Sequence, residues 1–138
     1  MRKKNIYITQ LDNERLEKMI SNAKRDNAKD KEYLAKLEAE LNRAKVVAPE
    51  NIPHNIVTMN SQIRLRDIVS DEEMTIELVF PERKDFLSNR ISVLAPIGTA
   101  ILGYKVGDEI EWEVPAGKKT FRIEEILFQP EASGQFEL

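Results

Sequence analysis

The sequence predicts an α+β fold in which an antiparallel helical hairpin precedes an antiparallel β-sheet domain with one short helix. Two observations support this fold class. Over the first third of the chain, apolar residues recur at three- and four-residue steps, as on one face of an amphipathic helix. After residue 53 they mostly alternate with polar residues and favour β-branched and aromatic types, as in half-buried strands.

The first helix is predicted to follow a short extended segment at residues 5–8. Thr9, with Asp12 three residues later, is a start that resembles a capping box. The helix continues to about Arg25 and carries one apolar stripe, which consists of Leu16, Met19, Ile20 and Ala23.

A second helix is predicted over residues 31–45, after a polar turn at residues 26–30. Its apolar residues have the spacing of a two-helix coiled-coil seam and are Leu34, Leu37, Leu41 and Ala44. The two stripes are expected to pack antiparallel, and arms of about 15 residues limit the hairpin to about 20–25 Å. The charged fraction of 33% favours a hairpin that protrudes and exposes much solvated surface.

Pro49 and Pro53 end the second helix and mark a linker, so we expect two units, residues 1–47 and residues 48–138. Strands are predicted at residues 56–59, 63–66, 74–80, 110–114 and 120–123, and residues 90–103 are predicted to form a strand followed by a short helix. A short helix from Pro96 to about Gly103 is expected to lie across the sheet, and residues 115–119 are expected to form a hairpin loop.

Composition restricts the function. The chain of 138 residues has a net charge of −3, so no global basic field favours nucleic acid, and a protein partner is expected instead. The absence of cysteine excludes a disulfide framework and a cysteine nucleophile. With no signal peptide or apolar membrane span recognised, we expect a cytoplasmic protein. We also expect a monomer, because the two stripes can satisfy each other.

Several motifs of the second part of the chain point to one family. Residues 92–108 combine a proline-led helix, an Ala-Ile-Leu-Gly string and a Val-Gly-Asp turn. Further matching strings lie at residues 53–54, 57–61, 112–115 and 129–132. Together these motifs, which cover the chain from about residue 46, resemble the Gre family of transcript-cleavage factors. Within that superfamily they are most similar to the Rnk proteins, called regulators of nucleoside diphosphate kinase.

The resemblance implies an FKBP-like C-terminal domain that docks on RNA polymerase at the rim of its secondary channel, with the hairpin directed toward that channel. The docking region of the family corresponds here to Leu94, Ala95 and Pro96. Leu94 and Ala95 replace the polar residues that are usual there. Pro96 is equally suited to the first position of a helix, so its role has a purely structural alternative.

Gre proteins use two acidic residues at the hairpin tip to hold a metal ion in the polymerase active site. Aligning Glu32 and Tyr33 with the family's Glu-Tyr places Asp26 on the first tip carboxylate and Lys29 on the second. A lysine cannot ligate a hard cation, although Asp30 next to it could substitute. Aspartates also commonly cap helices at such turns. We therefore predict no transcript cleavage, no catalytic residues and no bound metal or cofactor.

Three functional hypotheses follow. The first is a non-catalytic regulator that binds RNA polymerase near the secondary channel and competes with Gre-type factors. The second is a peptidyl-prolyl isomerase, suggested by the expected FKBP-like fold alone. The third is weak transcript cleavage that uses Asp26 and Asp30.

Overall fold

The computed structural model describes residues 5–26, 31–114 and 117–135, without the side chains of Asp26, Phe86 and residues 112–114. Within these ranges two helices are followed by a five-stranded sheet and a short third helix. The predicted α+β class is confirmed; its FKBP-like detail stays a prediction. None of the helices in the described ranges has both the length and the apolar character needed to cross a membrane.

Helix α1 spans Gln10–Asp26 and helix α2 spans Lys31–Arg43. The predicted start of α1 is confirmed, because the N–H of Asp12 donates to the hydroxyl oxygen of Thr9 at 3.1 Å. This bond satisfies one of the backbone donors that the first turn of a helix leaves without a partner. The buried leucine and isoleucine residues of the two stripes are Leu16, Ile20, Leu34, Leu37 and Leu41.

A short parallel ladder joins the two ends of the hairpin. Strand β1 spans Tyr7–Thr9 and strand β2 spans Lys45–Val47, with Tyr7 opposite Lys45. The sequence predicts an extended segment before α1 but not β2, since it extends the second helix to residue 45. The helix ends earlier because the N–H of Lys45 donates to the carbonyl oxygen of Ile6 at 2.9 Å instead of continuing the helix.

The main sheet has the strand order β5-β4-β3-β7-β6. Its strands are β3 (Gln62–Asp67), β4 (Glu73–Val79), β5 (Arg90–Ser92), β6 (Glu109–Val114) and β7 (Gly117–Phe128). The prediction of an entirely antiparallel sheet is wrong at one edge, where β5 runs parallel to β4. Residues 80–89 return through two short 3₁₀ turns to the level of Glu77 before β5 begins.

Two local predictions are also wrong. Residues 56–59 form no strand: Ile56 makes one isolated bridge with Lys105, and the chain turns at Asn60, whose φ is 66°. Their apolar character reflects burial on every side, since Val57 and Met59 are 0% exposed and Thr58 between them is only 1% exposed. The turn after β6 is shorter than expected, because Val114 pairs with Gly117 and only residues 115 and 116, outside the described ranges, lie between them.

One hydrophobic cluster joins the hairpin to the sheet. It includes Leu16 and Leu37 of the hairpin as well as Leu65 and Ile123 of the sheet. Helix α2 contacts α3, and residues of both helices of the hairpin share surface grooves with the sheet domain. The described residues of the hairpin therefore pack against the domain, and the expectation of a protruding hairpin is wrong for this part of it. The division near residue 48 stays a prediction.

The short helix α3 spans Pro96–Ile101 and approaches the end of β5 closely at Gly98. An added Cβ at Gly98 would overlap the carbonyl oxygen of Ser92. Just after the helix, Gly103 has a φ of 84°, and a Cβ there would lie 2.9 Å from the carbonyl oxygen of Tyr7. Only glycine combines this conformation with this approach. The two glycines thus set the distance of α3 from β5 and of β1 from the chain after α3.

A polar contact between the hairpin and the domain lies at the end of α2. The guanidinium of Arg43 donates from Nη2 to the hydroxyl oxygen of Tyr104 at 2.9 Å and from Nε to Glu40 at 2.7 Å. Burial raises the pKa of Tyr104, and the carboxylate of Glu40 adds to the rise. Tyr104 therefore stays protonated and contributes a hydroxyl to this contact.

A buried polar network lies where α1 meets the segment before β3. The carboxylate of Asp12, a residue only 2% exposed, accepts the N–H of Met59 at 3.1 Å. On the same segment, the hydroxyl of Thr58 donates to Glu131 at 2.7 Å. Burial raises the pKa of Asp12 to about 7, and the nearby Glu131 adds to the rise while Met59 N–H and Arg15 oppose it. The network links α1, residues 58–59 and the C-terminal turn.

We predict that Gly98→Ala destabilises the protein. Helix propensity alone gives the opposite sign, because alanine stabilises a helix interior by about 1 kcal/mol relative to glycine. The overlap with Ser92 should outweigh this gain and lower the free energy of unfolding by about 1–3 kcal/mol, measured by urea denaturation. A variant more stable than the wild type would show that α3 does not approach β5 this closely.

We predict that Asp12 makes stability depend on pH. Because its pKa is raised from 3.8 to about 7, its stabilising contribution is complete below about pH 4 and is lost as pH rises to about 7. This rise in pKa corresponds to a loss of at most about 4 kcal/mol in the free energy of unfolding. Asp12→Asn keeps an oxygen for the N–H of Met59 but has no charge, so it should gain stability relative to the wild type between pH 4 and pH 8.

The matched control is Asp71→Asn, since Asp71 is exposed. Urea denaturation of the three proteins across this pH range measures the effect. Parallel pH profiles for wild type and Asp12→Asn would contradict the burial of a titrating carboxyl group at this position.

Candidate functional site

The docking segment, by which we mean Leu94, Ala95 and Pro96, forms a tight connection between β5 and α3. The hydroxyl oxygen of Ser92 accepts the N–H of Leu94 at 3.0 Å, and its carbonyl oxygen accepts the N–H of Ala95 at 3.0 Å. From α3, the hydroxyl of Thr99 donates to the carbonyl oxygen of Val93 at 2.6 Å. These bonds fix the segment without help from its own side chains.

The docking segment is partly accessible. Pro96 is exposed, whereas Leu94 and Ala95 are half-buried, with Leu94 packed against the edge of the core. The prediction of Pro96 as the first residue of a helix is confirmed, since α3 begins there. Its apolar ring is exposed at that position, so the segment presents an ordered apolar surface.

Two surface grooves flank the docking segment. The first groove, of about 630 Å³, is lined by Tyr33, Pro81, Lys84, Asp85, Arg90, Ile91, Ser92, Leu94, Ala95 and Pro96. The second groove, of about 540 Å³, is lined by Glu32, Tyr33, Lys36, Ala39, Glu40, Leu94, Pro96, Thr99, Ala100 and Glu111. Leu94 and Pro96 belong to both grooves and form the apolar ridge between them.

Tyr33 is the third member of both grooves and comes from the hairpin, two residues after the start of α2. It is 42% exposed, although Leu34 beside it is buried. In the sequence, Tyr33 serves only to align the hairpin tip, and its position in the same grooves as Pro96 is not predicted. An apolar ring one position outside the leucine seam was the available signal, but its partner lies more than 60 residues away in the sequence.

Charged groups of the first groove differ in how they are paired. The carboxylate of Asp85 accepts the hydroxyl of Ser88 at 2.9 Å and the N–H of Leu87 at 3.1 Å. These hydrogen bonds hold the pKa of Asp85 below its usual value. Arg90 lies 3.6 Å from a carboxylate oxygen of Glu77 on β4. Asp85 is therefore hydrogen-bonded within its own turn, and Arg90 is paired with a carboxylate of the neighbouring strand.

The second groove is more acidic but largely balanced. Glu40 accepts from Arg43 at 2.7 Å, and Glu111 lies 4.0 Å from Lys118. Glu32 and Lys36 are exposed on the same side of α2. Two of the three carboxylates of this groove are thus paired with cations that do not line it.

The predicted hairpin-tip residues are only partly covered by the structure. Asp26 is the last residue of α1, while its side chain and all of Lys29 and Asp30 lie outside the described residues. Among the described residues, no group of three or more histidine, cysteine, aspartate or glutamate side chains is placed to hold a metal ion. The tip assignment stays a prediction from the sequence.

Comparison with known protein families gives two matches along the chain. Residues 52–128 match the model of the C-terminal part of the transcription elongation factors GreA/GreB. Residues 4–47 match the model of the Rnk N-terminus. The first match contains all five strands of the main sheet and the docking segment.

Individual relatives agree with these matches. The regulator of nucleoside diphosphate kinase of Escherichia coli (strain K12) is 43% identical over 101 residues, which are 72% of this chain and 74% of that protein. The transcription elongation factor GreA of Sulfurovum sp. (strain NBC37-1) is 37% identical over 113 residues, which are 78% of this chain and 70% of that protein. A solved structure, a prokaryotic transcription elongation factor GreA/GreB from Nitrosomonas europaea, is 44% identical with a TM-score of 0.75, covering 91% of this chain and 100% of that one.

Proposed function

Because this chain belongs to the GreA/GreB transcription elongation factor family, we propose that it is a transcription regulator that binds RNA polymerase near the secondary channel without stimulating transcript cleavage. Binding occurs through residues 48–138, with Leu94, Ala95 and Pro96 as the contact segment. By occupying this site the protein competes with Gre-type factors.

The observation that carries the proposal is the match of residues 52–128 to the family's C-terminal model. Within it, the docking segment is held by the backbone and by Ser92 and Thr99. A segment ordered in this way loses little conformational entropy when a partner binds, which favours affinity. An apolar ridge between two grooves is also the kind of surface that partners bury.

Two features support the absence of cleavage. When Glu32 and Tyr33 are matched to the family's Glu-Tyr motif, Lys29 falls on the position of the second tip carboxylate, and an ammonium group repels the divalent cation that cleavage requires. The helices are also short, with 17 residues in α1 and 13 in α2. At 1.5 Å per residue they reach only about 20–25 Å, and they pack on the domain. A hairpin of this kind is suited to covering a channel entrance and not to reaching a distant active site.

We predict that the wild-type protein is retained by immobilised core RNA polymerase at low salt and is released by excess Gre factor. Leu94→Asp should weaken retention by about tenfold or more, because a carboxylate on the apolar ridge must be desolvated on binding. The matched control is Leu127→Asp, since Leu127 is 46% exposed on β7, outside both grooves. Absence of wild-type binding, or equal loss in both variants, would contradict the proposal.

We also predict that the protein does not shorten RNA in stalled elongation complexes under conditions in which a Gre factor does. Its addition together with the Gre factor should reduce cleavage by competition. Gel analysis of labelled transcripts measures both effects. Shortened RNA that disappears in Asp26→Ala would instead establish the weak cleavage activity considered from the sequence.

A further inference from the structure

We propose that Tyr33 and Lys84 complete the docking surface, and that the polymerase segment it accepts inserts an apolar side chain into the first groove and pairs a carboxylate with Lys84. This inference rests on the proposed function and specifies the chemistry of the partner at that site. It also assigns a binding role to the hairpin, which contributes Tyr33.

The apolar part of the surface is continuous across the two units of the chain. Tyr33 from α2 lines the first groove together with four other apolar residues, Pro81, Ile91, Leu94 and Pro96. A few residues carry most of the binding free energy of an interface, and tyrosine is among the most frequent of these. A groove of about 630 Å³ accommodates one large apolar side chain with its neighbouring backbone.

The charged part of the surface selects a carboxylate. Lys84 is exposed, and among the described residues no carboxylate lies within ion-pair distance of its ammonium group. The two other charged groups of the groove are engaged, Asp85 by Ser88 and Arg90 by Glu77. Lys84 is therefore the cation of this groove that is available to a partner.

The second groove does not offer the same selection. Its lysine, Lys36, lies on α2 in the same groove as Glu32, Glu40 and Glu111, so the local field there does not favour an anion. The difference between the grooves fixes an orientation, with the acidic residue of the partner on the Lys84 side of the ridge formed by Leu94 and Pro96. Complementary charges of this kind mainly set orientation and association rate.

The test measures the affinity of the full-length protein for purified core RNA polymerase by titration at two salt concentrations, about 0.05 M and about 0.5 M. Tyr33→Ala should weaken binding by about tenfold at both concentrations, because it removes an apolar anchor. Lys84→Glu should weaken binding by about fivefold or more at low salt, with a smaller effect at high salt.

Each variant has a matched control. Lys36→Glu makes the same charge change on an exposed lysine of the second groove, and Val69→Ala truncates an aliphatic side chain that is 88% exposed in the turn after β3. Both should change the affinity less than twofold. Thermal denaturation checks that all four variants remain folded.

The outcomes separate this inference from the proposed function. If Leu94→Asp weakens polymerase binding but Tyr33→Ala and Lys84→Glu do not, the proposed function stands and the composite surface is wrong. If Lys36→Glu weakens binding as much as Lys84→Glu, the selectivity of the first groove for a carboxylate is wrong. Absence of wild-type binding overturns both proposals, and self-association lost in Tyr33→Ala would show that a second copy of this chain occupies the groove.

Discussion

The burial of the α2 leucines between α1 and the sheet domain is the interaction on which the rest of the structure depends. Leu34 and Leu37 are 1% and 0% exposed, and each fully buried leucine contributes about 1.5–3 kcal/mol. Because successive residues on a helix are separated by about 100°, fixing this buried face also fixes the direction of the exposed ones. Tyr33 faces the docking segment as a result, so core packing and the candidate site share one cause.

The polar network at Asp12 adds specificity to this apolar contact. Apolar surfaces tolerate small displacements at low cost, whereas a hydrogen bond has a narrow range of distance and angle. The bond from the N–H of Met59 to Asp12 and the bond from Thr58 to Glu131 each join segments far apart in sequence. Placing a carboxyl group in the interior costs stability near neutral pH, and the narrow geometry of its hydrogen bond restricts the positions in which α1 can pack.

Sequence analysis identified those features that depend on local pattern. The cap at Thr9, the buried faces of both helices and the proline-led start of α3 follow from spacing and residue type within a few positions. Features that depend on distant neighbours were missed. The three residues of β2 carry no periodic signal, and the parallel pairing of β5 depends on how residues 80–89 return. Residues 56–59 are all buried without forming a strand, so their apolar and β-branched side chains are misleading. The docking segment was proposed from a family resemblance, but Tyr33 reaches it only through the folding of α2 onto α3.

The long sequence separation between the hairpin and the residues that cover it has a consequence for how the protein is made. The ribosome releases α1 and α2 first, yet the sheet residues that cover their leucines extend to Ile123, and Glu131 completes the contact with Thr58. Strand β1 pairs with β2 but also needs a residue made later, because the N–H of Tyr7 donates to the carbonyl oxygen of Gly103 at 3.2 Å. Contacts of such long sequence separation form late and slowly. During synthesis the side of the hairpin that packs on the sheet therefore stays uncovered until Ile123 has been added, and exposed apolar surface of this kind favours aggregation.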